Sequence, residues 1–145
     1  MQGHIIKVIS TLAVLGLLIG CAGTRSTASD PADAWMYPLT NEQAERVLTE
    51  AMAAEFSGSA LSRVDIPNRG YKVTIRFALD SHDIVAVMVP AKGKTTDGEQ
   101  VDGFVFEVND SGTMAISGRR RANRLFEGIQ NRASQVAPPV RLVGY

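Results

Sequence analysis

Residues 71–80 read Tyr-Lys-Val-Thr-Ile-Arg-Phe-Ala-Leu-Asp, and this stretch decides the fold. Apolar side chains alternate with mostly charged or hydroxylated ones over its whole length. A period of two predicts a β-strand with one face in the core and the other in water. The turn-forming residues 67–70 precede it and set its start. The residues predicted to face the core are Tyr71, Val73, Ile75, Phe77 and Leu79.

Four weaker segments around this strand also have strand character. They are residues 60–66, 84–89, 104–108 and 113–116. The predicted connections are a short link at 80–83, a polar loop at 90–100 and a hairpin signal at 109–112. Links this short make neighbouring strands antiparallel, because a parallel pair needs a long crossover. The sequence therefore predicts a meander of four or five antiparallel strands.

Two helices flank the predicted strands. Thr40 and Gln43 form a capping box at the start of the first helix, and Gly58 is placed to end it. A second helix is predicted to begin near Ser117 and to end before Pro138. Apolar stripes on both helices need the apolar face of the sheet for burial. We therefore predict an α+β two-layer sandwich over residues 40–134, with both helices on one face and a tail at 135–145.

The N-terminus has the pattern of an exported protein. Lys7 is followed by a mostly apolar run at 8–19, too short for a spanning helix, which needs about 20 apolar residues. The run ends in Leu18-Ile19-Gly20-Cys21, which resembles the lipobox of bacterial lipoproteins. The resemblance covers about the first 21 residues and implies a signal peptide at 1–20 and a lipidated Cys21. No family resemblance extends to the folded domain.

The resemblance also implies a location. Ala22 follows the cysteine, where many lipoproteins retained in the inner membrane have aspartate. This favours the periplasmic face of the outer membrane in a Gram-negative source, with the membrane as the first partner. Residues 21–39 are predicted to be the lipidated cysteine and a flexible tether, because Gly, Ser, Thr, Ala, Asp and Pro dominate there. Trp35, Met36 and Tyr37 are expected to dock on the domain, with contact to lipid headgroups as the alternative.

Charge is distributed unevenly along the predicted mature chain. Residues 22–116 have a balance of −6, whereas residues 117–145 have a balance of +5. Four arginines cluster at the start of the second helix, and they are Arg119, Arg120, Arg121 and Arg124. They form a candidate patch for an anion or a partner, or else they pair with the acidic first helix. Nucleic acid is not an expected partner, because the overall charge is near zero and the compartment is wrong.

The face of the sheet away from the helices offers a second candidate surface. Its apolar residues are predicted to be Val85, Val87, Val89 and Val105. An apolar strip on an open sheet face often marks a partner surface. The alternative is that long polar neighbours or the C-terminal tail cover it.

Few side chains in this sequence are candidates for catalysis or metal binding. The anchor consumes the single cysteine, which leaves no thiol for a nucleophile or a metal site. His82 is the only histidine after cleavage, and it lies between Asp80 and Asp83 in a predicted turn. A histidine in such a turn is usually solvated, and zinc needs more nitrogen or sulfur ligands. We expect no metal, no cofactor and no catalytic residue.

Three functions are compatible with these features. The first is a non-enzymatic, lipid-anchored binding or assembly-accessory module that faces the periplasm and binds an envelope protein or the cell-wall polymer. The second is a carrier or sensor that holds a lipid or other amphiphile between sheet and helices. The third is a hydrolase that uses His82. A filled core would count against the carrier.

Overall fold

The structure is a computed structural model, and it describes residues 23–26 and 35–145. The predicted signal peptide, Cys21 and residues 27–34 of the predicted tether lie outside these residues. In chain order the elements are β1 (Gly23–Ser26), β2 (Trp35–Met36), α1 (Asn41–Glu55), β3 (Ser62–Val64), β4 (Arg69–Phe77), β5 (Asp80–Lys94), β6 (Gln100–Gly112), α2 (Ala115–Val136) and β7 (Val140–Gly144).

All strand pairs of the sheet are antiparallel, in the order β1-β6-β5-β4-β3. The long strand β5 pairs with β4 along its first half and with β7 near its end, and β7 also pairs with β2. The predicted α+β class with an antiparallel sheet and two helices is confirmed. Four or five strands was too low a number, since the described residues form seven. The additional strands β1, β2 and β7 come from the predicted tether and tail.

The alternating segment at 71–80 contains most of strand β4. Val73 is buried, and Tyr71 and Ile75 pack against the core. The predicted burial of Phe77 and Leu79 was wrong, because the chain turns earlier than the alternation indicates. Phe77 pairs with residue 80, which leaves Ala78 and Leu79 as a two-residue turn at the surface.

Two predicted connections are strand in the structure. Residues 80–83 begin β5 directly, since the turn before them is so tight, and the polar loop shrinks to residues 95–99. Polar residues near Lys94 stay in the sheet because β6 and β7 flank them on both sides. The hairpin signal at 109–112 lies inside β6, and the predicted strand at 113–116 is absent because α2 begins at Ala115.

Both helices pack on the same side of the sheet in one apolar cluster. The predicted capping box is present at the start of α1, where the Thr40 N–H donates to Gln43 Oε1 at 2.9 Å and the Gln43 N–H donates to Thr40 Oγ1 at 3.2 Å. Large, fully buried side chains fill the space between the layers, and they are Leu48, Met52, Phe56, Ile84, Phe106, Leu125 and Ile129. This filled core counts against the carrier hypothesis.

A second, smaller core lies where β2 crosses the sheet. Met36, Ala91 and Val105 are buried there together. A Cβ at Gly103 would overlap the carbonyl oxygen of Tyr37 and Cε of Met36, so only glycine lets this segment lie so close to β6. The predicted docking of residues 35–37 is confirmed for Met36 and Tyr37, both of which are buried. These two residues, which the sequence pattern assigns to the tether, therefore pack with the sheet and helices.

Two tyrosines make the free energy of unfolding depend on pH in the alkaline range. Burial raises the pKa of Tyr37 above its ordinary value of 10.0, against a smaller opposing effect of the hydrogen bond with Ser134. Burial, followed by the neighbouring Glu45, also raises the pKa of Tyr71, whose hydroxyl donates to Glu45 Oε1 at 2.9 Å. The unfolded chain therefore loses these protons first. The stabilisation is complete below pH 10 and is lost as the pH rises through the folded-state pKa values.

We expect the free energy of unfolding, measured in urea, to fall as the pH increases above about 10. The double variant Tyr37→Phe/Tyr71→Phe should show a shallower decrease over the same interval, because phenylalanine has no proton to lose. An equal decrease in both proteins would show that other groups cause it.

Candidate functional sites

A buried polar cluster joins β5, β6 and α2. His82 on β5 is only 2% exposed, and its Nε2 lies 3.2 Å from Oδ2 of the buried Asp110 on β6. Arg119 on α2 donates from Nε to the same Oδ2 at 2.9 Å, and this nitrogen lies 2.7 Å from Oδ1. Oδ2 thus accepts from two side chains, and one carboxylate holds the start of α2 to the sheet.

The imidazole of His82 is enclosed by glycines. His82 pairs with Gly112 across the β5–β6 ladder, and a Cβ at Gly118 of α2 would overlap the Cδ2 and Nε2 atoms of the His82 ring. The predicted position of His82 in a turn between Asp80 and Asp83 was wrong. Asp83 instead accepts a hydrogen bond from Thr74 at 2.6 Å. With so little of the ring exposed, this arrangement positions α2 and gives a substrate no access to the imidazole.

The four clustered arginines do not form one surface. Arg121 donates to Oε1 of Glu55 at 3.2 Å and to its carbonyl oxygen at 2.7 Å, and Arg124 donates to Oε1 at 2.8 Å. Arg119 belongs to the buried cluster, and Arg120 is exposed. The alternative of pairing with the first helix therefore describes two of the four. The reason is that α1 ends at Glu55 with its negative dipole end beside the start of α2.

The predicted valine strip is largely covered. Val105 is fully buried against Met36, Val87 is also buried, and Val85 and Val89 are half-buried. The alternative of coverage by the C-terminal tail is correct in part, because side chains of β7 join this smaller core. The strip is therefore not the open surface that the sequence predicted, and its role in binding a partner stays a prediction.

An open cleft of about 730 Å³, here called the far cleft, lies at the end of the sheet where β5 passes into β6. Trp35 contributes its side chain, which is 47% exposed. The other lining residues are Lys94, Thr95, Thr96, Asp97, Gly98, Pro138, Pro139, Val140 and Arg141. The pairing of β2 with β7 places Trp35 opposite Arg141. The cleft thus combines an aromatic ring, two cations, one carboxylate and two hydroxyls.

A smaller cleft of about 490 Å³ lies at the start of α1. The ion pair between Lys92 and Asp102 lines it, with Nζ 2.9 Å from Oδ1. Glu42 lines it as well, and hydrogen bonds with its own backbone N–H and with Thr40 lower the pKa of its carboxyl. The positive end of the helix dipole therefore already has an anion beside it, and the remaining charges are paired.

Comparison with known protein families, curated proteins and solved structures finds no match for this chain. Over residues 23–26 and 35–145, no helix is long and apolar enough to cross a membrane. Within the same residues, no three side chains among His, Cys, Asp and Glu are grouped so that they could hold a metal ion.

Proposed function

We propose that the protein is a lipid-anchored, non-enzymatic binding module of the bacterial envelope, facing the periplasm, which takes its partner in the far cleft. The observation that carries the proposal is the exposed indole of Trp35 in an open cleft beside Lys94 and Arg141. Tryptophan and arginine are the side chains that most often dominate binding energy at interfaces. The lipobox at Leu18–Cys21 supplies the anchor in this proposal.

The far cleft lies well away from the proposed anchor. Gly23, two residues after Cys21, pairs with Asp110, which pairs with Ile84. Lys94 at the cleft lies ten positions after Ile84 along β5, which corresponds to about 33 Å in an extended strand. The cleft would therefore project from the membrane into the space where the cell wall lies.

The chemistry of the far cleft favours the cell-wall polymer over an envelope protein. A flat indole offers an apolar surface to the C–H face of a sugar ring. Lys94 and Arg141 outnumber the single carboxylate of Asp97 in the cleft. The two cations suit the carboxylates of the peptide stems, since charge-assisted hydrogen bonds to carboxylates are strong. The cleft is open, as an extended polymer requires.

The only tryptophan of the chain reports on this cleft directly. We expect soluble cell-wall fragments to change the fluorescence of Trp35 in a saturable way. Arg141→Gln should weaken binding about tenfold, because it removes one charged hydrogen-bond donor. Arg120→Gln is the matched control, since this exposed arginine lies on the first turns of α2 and does not line the far cleft.

Failure of the fragments to bind, or equal effects of the two arginine variants, would contradict the polymer as ligand. The alternative of an envelope protein is then tested with a photo-crosslinker at Thr96 in the far cleft and, as a control, at Arg120. Adducts formed only from Thr96 would support a protein partner at the same site.

A further inference from the structure

We propose that the opposite end of the molecule, formed by the β4–β5 turn and the start of α2, rests in the lipid surface that anchors Cys21. This end is called the anchor end below, and its apolar side chains are Phe77, Leu79 and Ile116. The inference rests on the proposed lipid anchor. It adds a second, non-covalent membrane contact and fixes the orientation of the domain.

The anchor end exposes three large apolar side chains. Leu79 is 102% exposed, Ile116 is 79% exposed and Phe77 is 73% exposed. Apolar area left in water carries a free-energy cost that transfer into the headgroup and acyl boundary removes. Isolated exposed leucines are common on proteins, so three such side chains indicate a contact surface only when they lie together.

Hydrogen bonds bring the turn and the helix start together. The N–H of Thr113 donates to the carbonyl oxygen of Ser81 at 2.9 Å, and the hydroxyl of Thr113 accepts from the Ser81 N–H at 3.1 Å. Ser81 pairs with Arg76 at the base of the β4–β5 turn, and α2 begins two residues after Thr113. The exposed apolar side chains therefore share one end of the sheet.

The turn itself has an unusual composition for its geometry. Ala78 has a φ of +53°, a conformation in which hairpin turns usually have Gly, Asn or Asp. Leu79 occupies the next position, where a polar residue would be equally exposed and more soluble. Non-glycine residues in such disfavoured backbone conformations cluster at functional sites, and here a fully exposed leucine lies beside one.

The anchor is attached at this same end. Gly23 pairs with Asp110, two residues before Gly112 ends β6 and passes to the start of α2. Cys21 is two residues before Gly23, so their Cα atoms can be no more than about 7 Å apart. Acyl chains on Cys21 would therefore enter the bilayer beside the apolar side chains of the anchor end. This proximity favours a lipid surface, rather than a protein, as the partner that these side chains contact.

The charges at the anchor end suit a bilayer surface with anionic lipids. Arg76 directly precedes Phe77, and Arg120 lies about one helical turn after Ile116 on α2. Both arginines are exposed, and Asp80 adds one negative charge at the base of the turn. Arginines at a membrane surface attract anionic headgroups. The acyl chains and this apolar, basic end would act together, as stable peripheral anchoring generally requires.

Depth-dependent quenching tests the orientation. The lipidated full-length protein is placed in vesicles of phosphatidylethanolamine and phosphatidylglycerol with brominated acyl chains. One reporter is Leu79→Trp in a Trp35→Phe background, and the matched control is Thr96→Trp in the same background. We expect bromine to reduce the emission of the Leu79→Trp reporter about twofold or more and to leave the control almost unchanged. Ile116→Trp is a second reporter for the same end if the first variant does not fold.

The outcomes separate the two proposals. The intact mass of the protein reports acylation of Cys21 independently of quenching. An unmodified Cys21 would overturn the anchor and, with it, this inference. A lipidated protein in which both anchor-end reporters stay unquenched, or are quenched no more than the Thr96→Trp control, would overturn the inference alone.

Discussion

Replacing Gly118 by alanine is expected to lower the free energy of unfolding by about 3 kcal/mol. The added Cβ would overlap the ring of His82, and this ring cannot move aside because it is buried and held by Asp110. Relief requires either a shift of α2 or loss of the hydrogen bond to the carboxylate. Urea denaturation followed by circular dichroism measures the effect.

The chain provides a matched control in the same helix. A Cβ at Gly128 would meet only the flexible end of Arg132, 3.3 Å away. Gly128→Ala should therefore raise the free energy of unfolding by about 0.5–1 kcal/mol through helix propensity alone. In a His82→Ala background, Gly118→Ala should lose most of its cost, because the ring that it meets is absent. A full penalty in that background would place the conflict elsewhere.

Local chemistry explains the parts of the fold that the sequence predicted correctly. The capping box of Thr40 and Gln43 involves residues only three positions apart, so the pattern contains all the atoms that form it. The alternation at Tyr71, Val73 and Ile75 reports the pleat of a single strand. Such signals do not depend on the rest of the chain.

The errors arise where a distant partner determines the structure. The alternation continues to Leu79, but the pairing of Phe77 with residue 80 ends the strand first. The even-numbered residues of β5 face the helices, and extending that pattern back from Ile84 would have placed His82 inside. Its partner Asp110 could not be found this way, because residues 109–112 resemble a turn.

The candidate sites also depend on contacts between residues that are far apart in the sequence. Glu55 lies 66 residues before Arg121, so only the packing of two helices reveals their contact. The far cleft depends on the pairing of Trp35 with Arg141 across almost the whole chain. The sequence indicated that Trp35 belongs near the domain, but it could not show what the indole would face.

Replacing Asp110 by alanine is expected to cost about 3–5 kcal/mol of the free energy of unfolding. Its carboxylate is almost fully buried and accepts from both His82 and Arg119. Its removal leaves the imidazole without this partner and the start of α2 without its link to β6. Asp110→Asn should cost less, because an amide oxygen at the position of Oδ2 can still accept from both His82 and Arg119, and only the negative charge that strengthens these bonds is lost.

Asp102 is the matched control, since it forms an ion pair of similar length with Lys92, at 2.9 Å, in an exposed position. Asp102→Ala should change the free energy of unfolding by no more than about 0.5 kcal/mol, because water already screens that pair. Equal costs at the two aspartates would mean that burial does not decide the strength of the Asp110 cluster. A much larger cost at Asp110 than at Asp102 would show that the buried carboxylate of Asp110 holds the start of α2, which is part of the anchor end, to the sheet.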